Sequence, residues 1–475
     1  MDSDRDWSEN DNENNESIVR YEDMIRKNTS YFFDVDEFQD IIDYYIDKNR
    51  PNSALRAIEI ASGMHPLSSE IQLRKAQVLA NTGRKSEALS ILKKLEKVSS
   101  ENPDVFLLMG IIYIAMDKEK EALENFEKSI HLADETKEDI LISTAISLEN
   151  AEKFTLAIKY LNQALKIQTT NTGVIFELAY CYERLANYTE SIKYYQMFLD
   201  EDPFSSHVWF NLGVVYNLTD AFEEAIEAFG YAIAIDDEFA AAYFNRGNTY
   251  TSLENYQDAI KDYQEFILLE EDNAIAHYYI GECYEKTDDL ETALSYYEKT
   301  LQIDNDFADA FLGKGFIAFQ KEDFEESLRF AREAEKREPD NPDYLLLIAN
   351  SYMKMDNNDE ADKNFEKAVH TAPDDDEIRI CYSDFEFGRS NITKAIEILE
   401  SGYSMYSNVA MINYRLAAYH WNLKDYEKTE SYFRLAIVEE YENNEDFFNF
   451  AKGAENDNLI NNLMQQFNPD KNKTE

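Results

Sequence analysis

The sequence has 475 residues, of which 95 are acidic and 46 basic, so its formal net charge is −49. Because nucleic acids and anionic lipid surfaces are bound through clustered Lys and Arg, this charge argues against both as partners. The three cysteines form no Cys-x-x-Cys pair, and no apolar run reaches the roughly 18 residues of a membrane span. We therefore expect a cytoplasmic protein without membrane insertion.

The N-terminal segment, residues 1–34, differs from the rest of the chain. Residues 1–16 are rich in Asp and Glu and lack the apolar core of a secretory signal, so we expect a disordered acidic tail. Residues 17–30 place Ile18 and Ile25 on one helical face, which predicts a short amphipathic lead-in helix.

A period of 34 residues begins at residue 35. Gly213 and Ala225 recur as Gly247 and Ala259 at this distance. The period continues to residue 443 and gives twelve consecutive units: 35–68, 69–102, 103–137, 138–171, 172–205, 206–239, 240–273, 274–307, 308–341, 342–375, 376–409 and 410–443. A repeat of this length indicates a stacked array rather than separate globular domains.

Each unit carries two positions of small residues and one bulky position. The middle of the first predicted helix holds Gly, Ala or Ser in every unit except the first, which has Ile42. The second helix holds Ala, Ser or Thr near its start, and a bulky residue follows one turn later, with Ala331 as the exception. Small residues let two helices approach closely, and the bulky residue fills the remaining space.

This pattern resembles the tetratricopeptide repeat. The resemblance implies an all-α fold, an α-α superhelical solenoid of tandem helix-turn-helix repeats. It also implies a concave groove lined by the first helix of each repeat, in which a peptide or helix of a partner protein binds.

The chain after residue 443 has two parts. Residues 444–467 place Leu459, Leu463 and Phe467 on one face, and we expect capping helices that close the array. A helix that docks into a partner is the alternative. Residues 468–475 are a polar tail.

We find no motif for catalysis, cofactor binding or metal binding. The sequence lacks phosphate-binding loops and zinc-protease or hydrolase signatures, and its six histidines fall in separate repeats. We therefore predict a non-enzymatic protein with no cofactor and no metal.

The expected groove contains polar and aromatic candidates for peptide contact. Asn211 and Asn245 hold equivalent places one repeat apart, and an amide there can bind an extended backbone. The candidate groove residues are Asn211, Asn217, Asn245, Asn248, Tyr279, Phe316 and Phe319. Some members of the resembled family clamp a terminal carboxylate with lysines, but the corresponding column here reads Leu73, Leu107, Ile142 and Phe176. Such a clamp is therefore not expected.

One repeat, residues 69–102, is basic in this acidic chain. We predict that it receives an acidic segment, either residues 2–16 of the chain itself or part of a partner. The candidate docking residues are Arg74, Lys93, Lys94 and Lys97.

The sequence thus predicts a scaffold that binds a protein or peptide in its concave groove and is monomeric or self-associates weakly. Two alternatives stay open at this point. One is a self-assembling structural protein, and the other is a regulator that sequesters an enzyme or a response-regulator domain.

Overall fold

The computed structural model describes residues 9–271, 273–402 and 409–468. Over these residues the chain is helical with short turns and contains no strand. The predicted fold class, an all-α solenoid of tandem helix-turn-helix repeats, is confirmed. The chain divides into two compact units, Met1–Asp237 and Glu238–Glu475.

The first unit is a lead-in helix followed by six helix pairs within the described residues. Its helices are α1 (Glu9–Lys27), α2 (Val35–Asp47), α3 (Pro51–Met64), α4 (Ser69–Asn81), α5 (Lys85–Val98), α6 (Pro103–Ile114), α7 (Glu119–Leu132), α8 (Lys137–Glu149), α9 (Phe154–Ile167), α10 (Thr172–Arg184), α11 (Tyr188–Glu201), α12 (Ser206–Asn217) and α13 (Phe222–Ile235).

The second unit continues the pairing over the residues described there. Its helices are α14 (Ala240–Ser252), α15 (Tyr256–Leu269), α16 (Ala274–Lys286), α17 (Leu290–Ile303), α18 (Ala308–Gln320), α19 (Phe324–Arg337), α20 (Pro342–Lys354), α21 (Asn358–Thr371), α22 (Asp376–Gly388), α23 (Ile392–Gly402), α24 (Val409–Asn422), α25 (Tyr426–Glu439), α26 (Glu445–Phe450) and α27 (Asn458–Phe467). The first helix of each pair begins within one residue of a predicted repeat unit. The C-terminal tail from residue 469 and the end of the unit 376–409 lie outside the described residues.

The turn inside each repeat uses a left-handed residue. Such a residue recurs at the 34-residue period, for example at Asp220, Glu254 and Asp288, whose φ angles are 56°, 57° and 63°. Gly83, with φ 81°, occupies this place in the second repeat. A left-handed residue after the first helix satisfies its last carbonyls and reverses the chain into the second helix.

The small and bulky positions pack against each other as predicted. A Cβ added at Gly110 would lie 2.5 Å from the Phe126 ring, and one at Gly247 would lie 2.8 Å from the Tyr263 ring. Each glycine therefore gives room to the bulky residue of its own second helix. Where that residue is Ala331, the room beside the first helix is filled by Leu347 of the next repeat.

Both ends of the array are covered by helices. At the start, Tyr21 and Met24 of α1 and Phe33 after it are buried against α2 and α3. Residues 9–16, which we expected to be disordered, belong to α1, and residues 1–8 lie outside the described part. The lead-in helix is thus longer than the apolar spacing alone predicts.

At the C-terminal end, the capping helices bury their apolar faces. Phe447 of α26 and Ile460 and Leu463 of α27 are buried in one cluster with Tyr414 and Phe433 of the last repeat. This packing supports a capping role and leaves the same side chains unavailable for docking into a partner.

Candidate protein-binding surfaces

The first helices of the first three repeats line a cavity of about 370 Å³ in the first unit, which we call the groove cavity. Its apolar floor is formed by Leu73 of α4 and by Leu107, Leu108 and Ile111 of α6, all half-buried. Because the cavity lies on first helices only, it occupies the face that the family resemblance assigns to partner binding. Sequence reasoning did not select it.

Helix α6 explains why the floor is apolar. Its sequence, PDVFLLMGIIYI, is hydrophobic on all sides, and Val105 and Met109 on the opposite face are buried in the core. A helix that is apolar all round is normally enclosed on all sides. Here one apolar face borders the cavity instead, and this excess of hydrophobic residues was the sequence signal that could have located it.

Charged side chains form the rim of the groove cavity. Arg74 Nη2 donates to Asp43 Oδ2 at 2.8 Å, and its Nη1 donates to Gln77 at 3.0 Å. Burial raises the pKa of Asp43 although Arg74 opposes this. Glu70 and Asp104 add two more carboxylates at the rim.

Further along the first unit, two carboxyl groups share a half-buried place on α8 and α10. Glu149 and Glu177 interact directly, and the Cys181 thiol donates to Glu149 Oε1 at 3.3 Å. Burial, followed by repulsion from Glu177, raises the pKa of Glu149 to about 7. This pair therefore takes up a proton as the pH falls through about 7, well above the range in which an exposed Glu does so.

The candidate asparagines are partly engaged in local hydrogen bonds. Asn211 lies half-buried on α12 in the first unit, and Asn217 is the last residue of that helix. In the second unit, Asn245 Nδ2 donates to the Ala241 carbonyl of its own helix at 2.9 Å. Asn248 Oδ1 accepts from the Tyr263 hydroxyl at 2.8 Å. The amide ladder stays a prediction.

The aromatic candidates divide between core and surface. Tyr279 stacks on Tyr263 with ring centroids 5.6 Å apart, and Phe319 packs against Phe324 at 5.3 Å. These two rings therefore contribute to packing between helices. Phe316 is 38% exposed and is available for contact.

The basic candidates do not lie together. Arg74 is on α4 at the groove cavity, whereas Lys94 borders a second cavity of about 340 Å³ beside α5. Since Arg74 is already held by Asp43, the structure separates it from the lysines with which the sequence grouped it.

Within the described part of the chain, no cluster of His, Cys, Asp or Glu has metal-binding geometry. No helix there combines the length and the hydrophobicity that crossing a membrane requires.

Comparison with known families identifies the repeat. Two family models described as tetratricopeptide repeat match the sequence, one at residues 40–103, 176–243 and 244–306, the other at 286–350 and 318–381. These matches cover more than half of the chain. The chain belongs to the tetratricopeptide repeat family. Residues 74–195 also match a family described as ChAPs (Chs5p-Arf1p-binding proteins).

Several solved structures are similar to this tetratricopeptide repeat protein. MamA is 24% identical, with 37% of this chain and 95% of that chain covered and a TM-score of 0.35. The C-terminal part of a TPR repeat-containing protein from Cytophaga hutchinsonii is 18% identical, with 51% and 98% covered and a TM-score of 0.44. Yeast Tom70 is 13% identical, with 88% and 98% covered and a TM-score of 0.42. Among curated proteins, none matches the sequence.

Family membership supports a protein–protein interaction scaffold with a protein partner. Scaffolds of this family are generally non-catalytic.

Proposed function

We propose that this tetratricopeptide scaffold holds a segment of a partner protein along its first-helix face, with the groove cavity as the anchoring place. The observation that carries the proposal is the apolar floor of Leu73, Leu107, Leu108 and Ile111. In a chain with such high charge, these half-buried aliphatic side chains form a place where a partner's apolar side chain loses contact with water. A cytoplasmic location is part of the proposal.

The rim supports an orienting role. Arg74, Asp43 and Gln77 form a fixed hydrogen-bonded group, so their remaining donors and acceptors are already positioned when a partner backbone arrives. Positioned groups lower the entropic cost of binding. Apolar anchoring with a few fixed polar contacts is the usual division between affinity and orientation in peptide grooves.

The test compares partner capture from a native extract by the wild type and by three variants. Leu108→Arg places a charge on the floor, and Gln77→Trp fills the cavity without removing a floor residue. Leu218→Arg is the matched control, because Leu218 is an exposed leucine in a turn of the same unit. We expect both cavity variants to weaken the captured complex at least about tenfold and the control to leave it unchanged.

Other outcomes separate the alternatives. A partner captured equally by all variants but lost from Asn211→Ala with Asn245→Ala would move the site to the predicted amide ladder. If no partner is captured and light scattering increases with protein concentration, the protein is self-assembling. Capture of a catalytic protein through the cavity would make the scaffold a regulator of that enzyme.

A further inference from the structure

A second cavity lies away from the groove, beside the second helix of the basic repeat. We call it the turn pocket. It has about 340 Å³ and is lined by Pro66, Leu67, Ile91, Lys94, Leu95 and Val98. Leu67, in the turn before α4, is 97% exposed, and Val98, at the end of α5, is 82% exposed. Two large apolar side chains therefore border a cavity that is open to solvent.

Lys94 lines this pocket, and two further lysines, Lys93 and Lys97, lie on the same helix, α5. Lys93, Lys94 and Lys97 are exposed, and none of the described carboxylates lies within ion-pair distance of them. The chain as a whole carries 95 acidic residues against 46 basic ones. Three unpaired lysines on one helix therefore make the electrostatic potential locally positive on a protein whose net charge is strongly negative.

Two lysines at the same place in later repeats are paired, whereas a third, Lys299, lies over the Tyr296 ring. Lys128 Nζ lies 3.1 Å from Glu96, and Lys367 Nζ lies 3.2 Å from Glu335. Each pair joins the second helices of two consecutive repeats. The lysine comes from the later repeat and the carboxylate from the earlier one.

Lys94 occupies this same place, 34 residues before Lys128. The matching place in the preceding repeat holds Ser62, whose hydroxyl accepts from Gln72. Lys94 thus stands where a carboxylate would bind, but the described part of the chain supplies none there. The position that a carboxylate would occupy lies next to the turn pocket, because Ser62 contacts Gln72, one of the residues that line it.

We propose that the turn pocket binds an acidic segment of another protein in which carboxylates flank a large apolar side chain. The apolar side chain covers Leu67 and Val98, and the carboxylates pair with Lys93, Lys94 and Lys97. Because most of the surface is negatively charged and repels acidic segments, the lysines of α5 also determine where on the protein such a segment binds. The site is distinct from the groove cavity, because it is built from α5, the turn before α4 and the start of α4, and the two cavities share no lining residue.

The test uses the full chain and a fluorescein-labelled peptide, Asp-Glu-Leu-Trp-Asp-Glu, with Lys-Lys-Leu-Trp-Lys-Lys as the charge-reversed control. We expect anisotropy to show binding of the acidic peptide that weakens as salt is added. Lys93→Glu with Lys94→Glu and Lys97→Glu should weaken it at least about tenfold, and the same three changes to Arg should preserve it. Leu67→Asp, in a fully exposed turn, should weaken it as well. Lys363→Glu, an exposed lysine of the second unit, should have no effect.

Four results would overturn the proposal. The first is equal binding of both peptides, and the second is unchanged affinity in the triple Glu variant. The third is a tenfold gain on removal of residues 1–8, which would assign the pocket to the chain's own acidic terminus with Trp7. The fourth is concentration-dependent dimerisation that the triple variant abolishes, which would assign it to a second copy.

Discussion

The contact between Gly110 and Phe126 allows a strict test of the packing. The Gly110→Ala change adds one methyl group, whose carbon would lie 2.5 Å from two atoms of the Phe126 ring. Carbon atoms that are not bonded prefer about 3.5–4.0 Å, so the ring must move by about 1 Å. Phe126 is fully buried, and the move must be absorbed by a packed core.

The expected magnitude depends on two opposing effects. Overpacking of a core costs about 1–3 kcal/mol, whereas replacing Gly by Ala inside a helix gains about 0.5–1 kcal/mol. We therefore expect Gly110→Ala to lower the local stability of α6 and α7 by about 1–2 kcal/mol. The matched control is Gly63→Ala in α3, where an added Cβ meets nothing within 4 Å. That change should be neutral or stabilising by up to about 1 kcal/mol.

Hydrogen exchange of the native full-length protein is the appropriate assay, because long repeat arrays need not unfold in one step. Exchange should accelerate in peptides of α6 and α7 in Gly110→Ala and stay the same or slow in α3 in Gly63→Ala. In a Phe126→Leu background, the Gly110→Ala penalty should shrink by about 1 kcal/mol or more. If Gly110→Ala instead slows hydrogen exchange in α6, as Gly63→Ala is expected to do in α3, the assigned contact between Gly110 and Phe126 is wrong.

Two further predictions concern titrating groups. The pKa of Glu149 is raised to about 7, so its contribution to stability is complete below the unfolded pKa of about 4.5 and is lost as pH rises through about 7. Glu149→Gln should therefore raise the melting temperature at pH 8 and change it little at pH 5. The same difference in melting temperature between variant and wild type at both pH values would contradict this. Burial also raises the pKa of all three cysteine thiols, to about 11 for Cys283 and Cys381. Because the thiolate is the reactive form, iodoacetamide should label the native protein slowly at pH 7.5, and half-buried Cys381 should react first. Rapid labelling of Cys181 would show that α10 opens readily.

The fold was predictable because one physical rule repeats every 34 residues. A Gly or Ala opposite a bulky ring, such as Gly247 opposite Tyr263, places two helices in contact wherever it recurs. The left-handed turn was not predictable in this way. Its place is held by chemically unrelated residues such as Ala186, Glu254 and Lys424, with φ of 54°, 57° and 61°. Here the packing of the two helices imposes the backbone conformation that local preference disfavours.

The candidate surfaces were less predictable, because a repeat position does not determine whether a side chain is used. Tyr279 occupies a groove position, yet its ring stacks on Tyr263. Leu73 and Leu107 stand where a carboxylate clamp would need a lysine. In the sequence this departure only argued against a clamp, but in the structure the same two leucines form part of the floor of the groove cavity.

The arrangement of the charged residues in the basic repeat was also not predictable from their positions in the sequence. The sequence grouped Arg74 with the three lysines because they are close along the chain. Helix geometry separates them, since Arg74 lies on a first helix and Lys94 on a second one. Lys94 differs from Lys128 and Lys367 in that the previous repeat holds Ser62 in the place of a carboxylate. That comparison needs the pairing of Lys128 with Glu96, which only the three-dimensional structure provides. A repeat array therefore indicates its interaction sites most clearly where one repeat departs from the contacts that the others make.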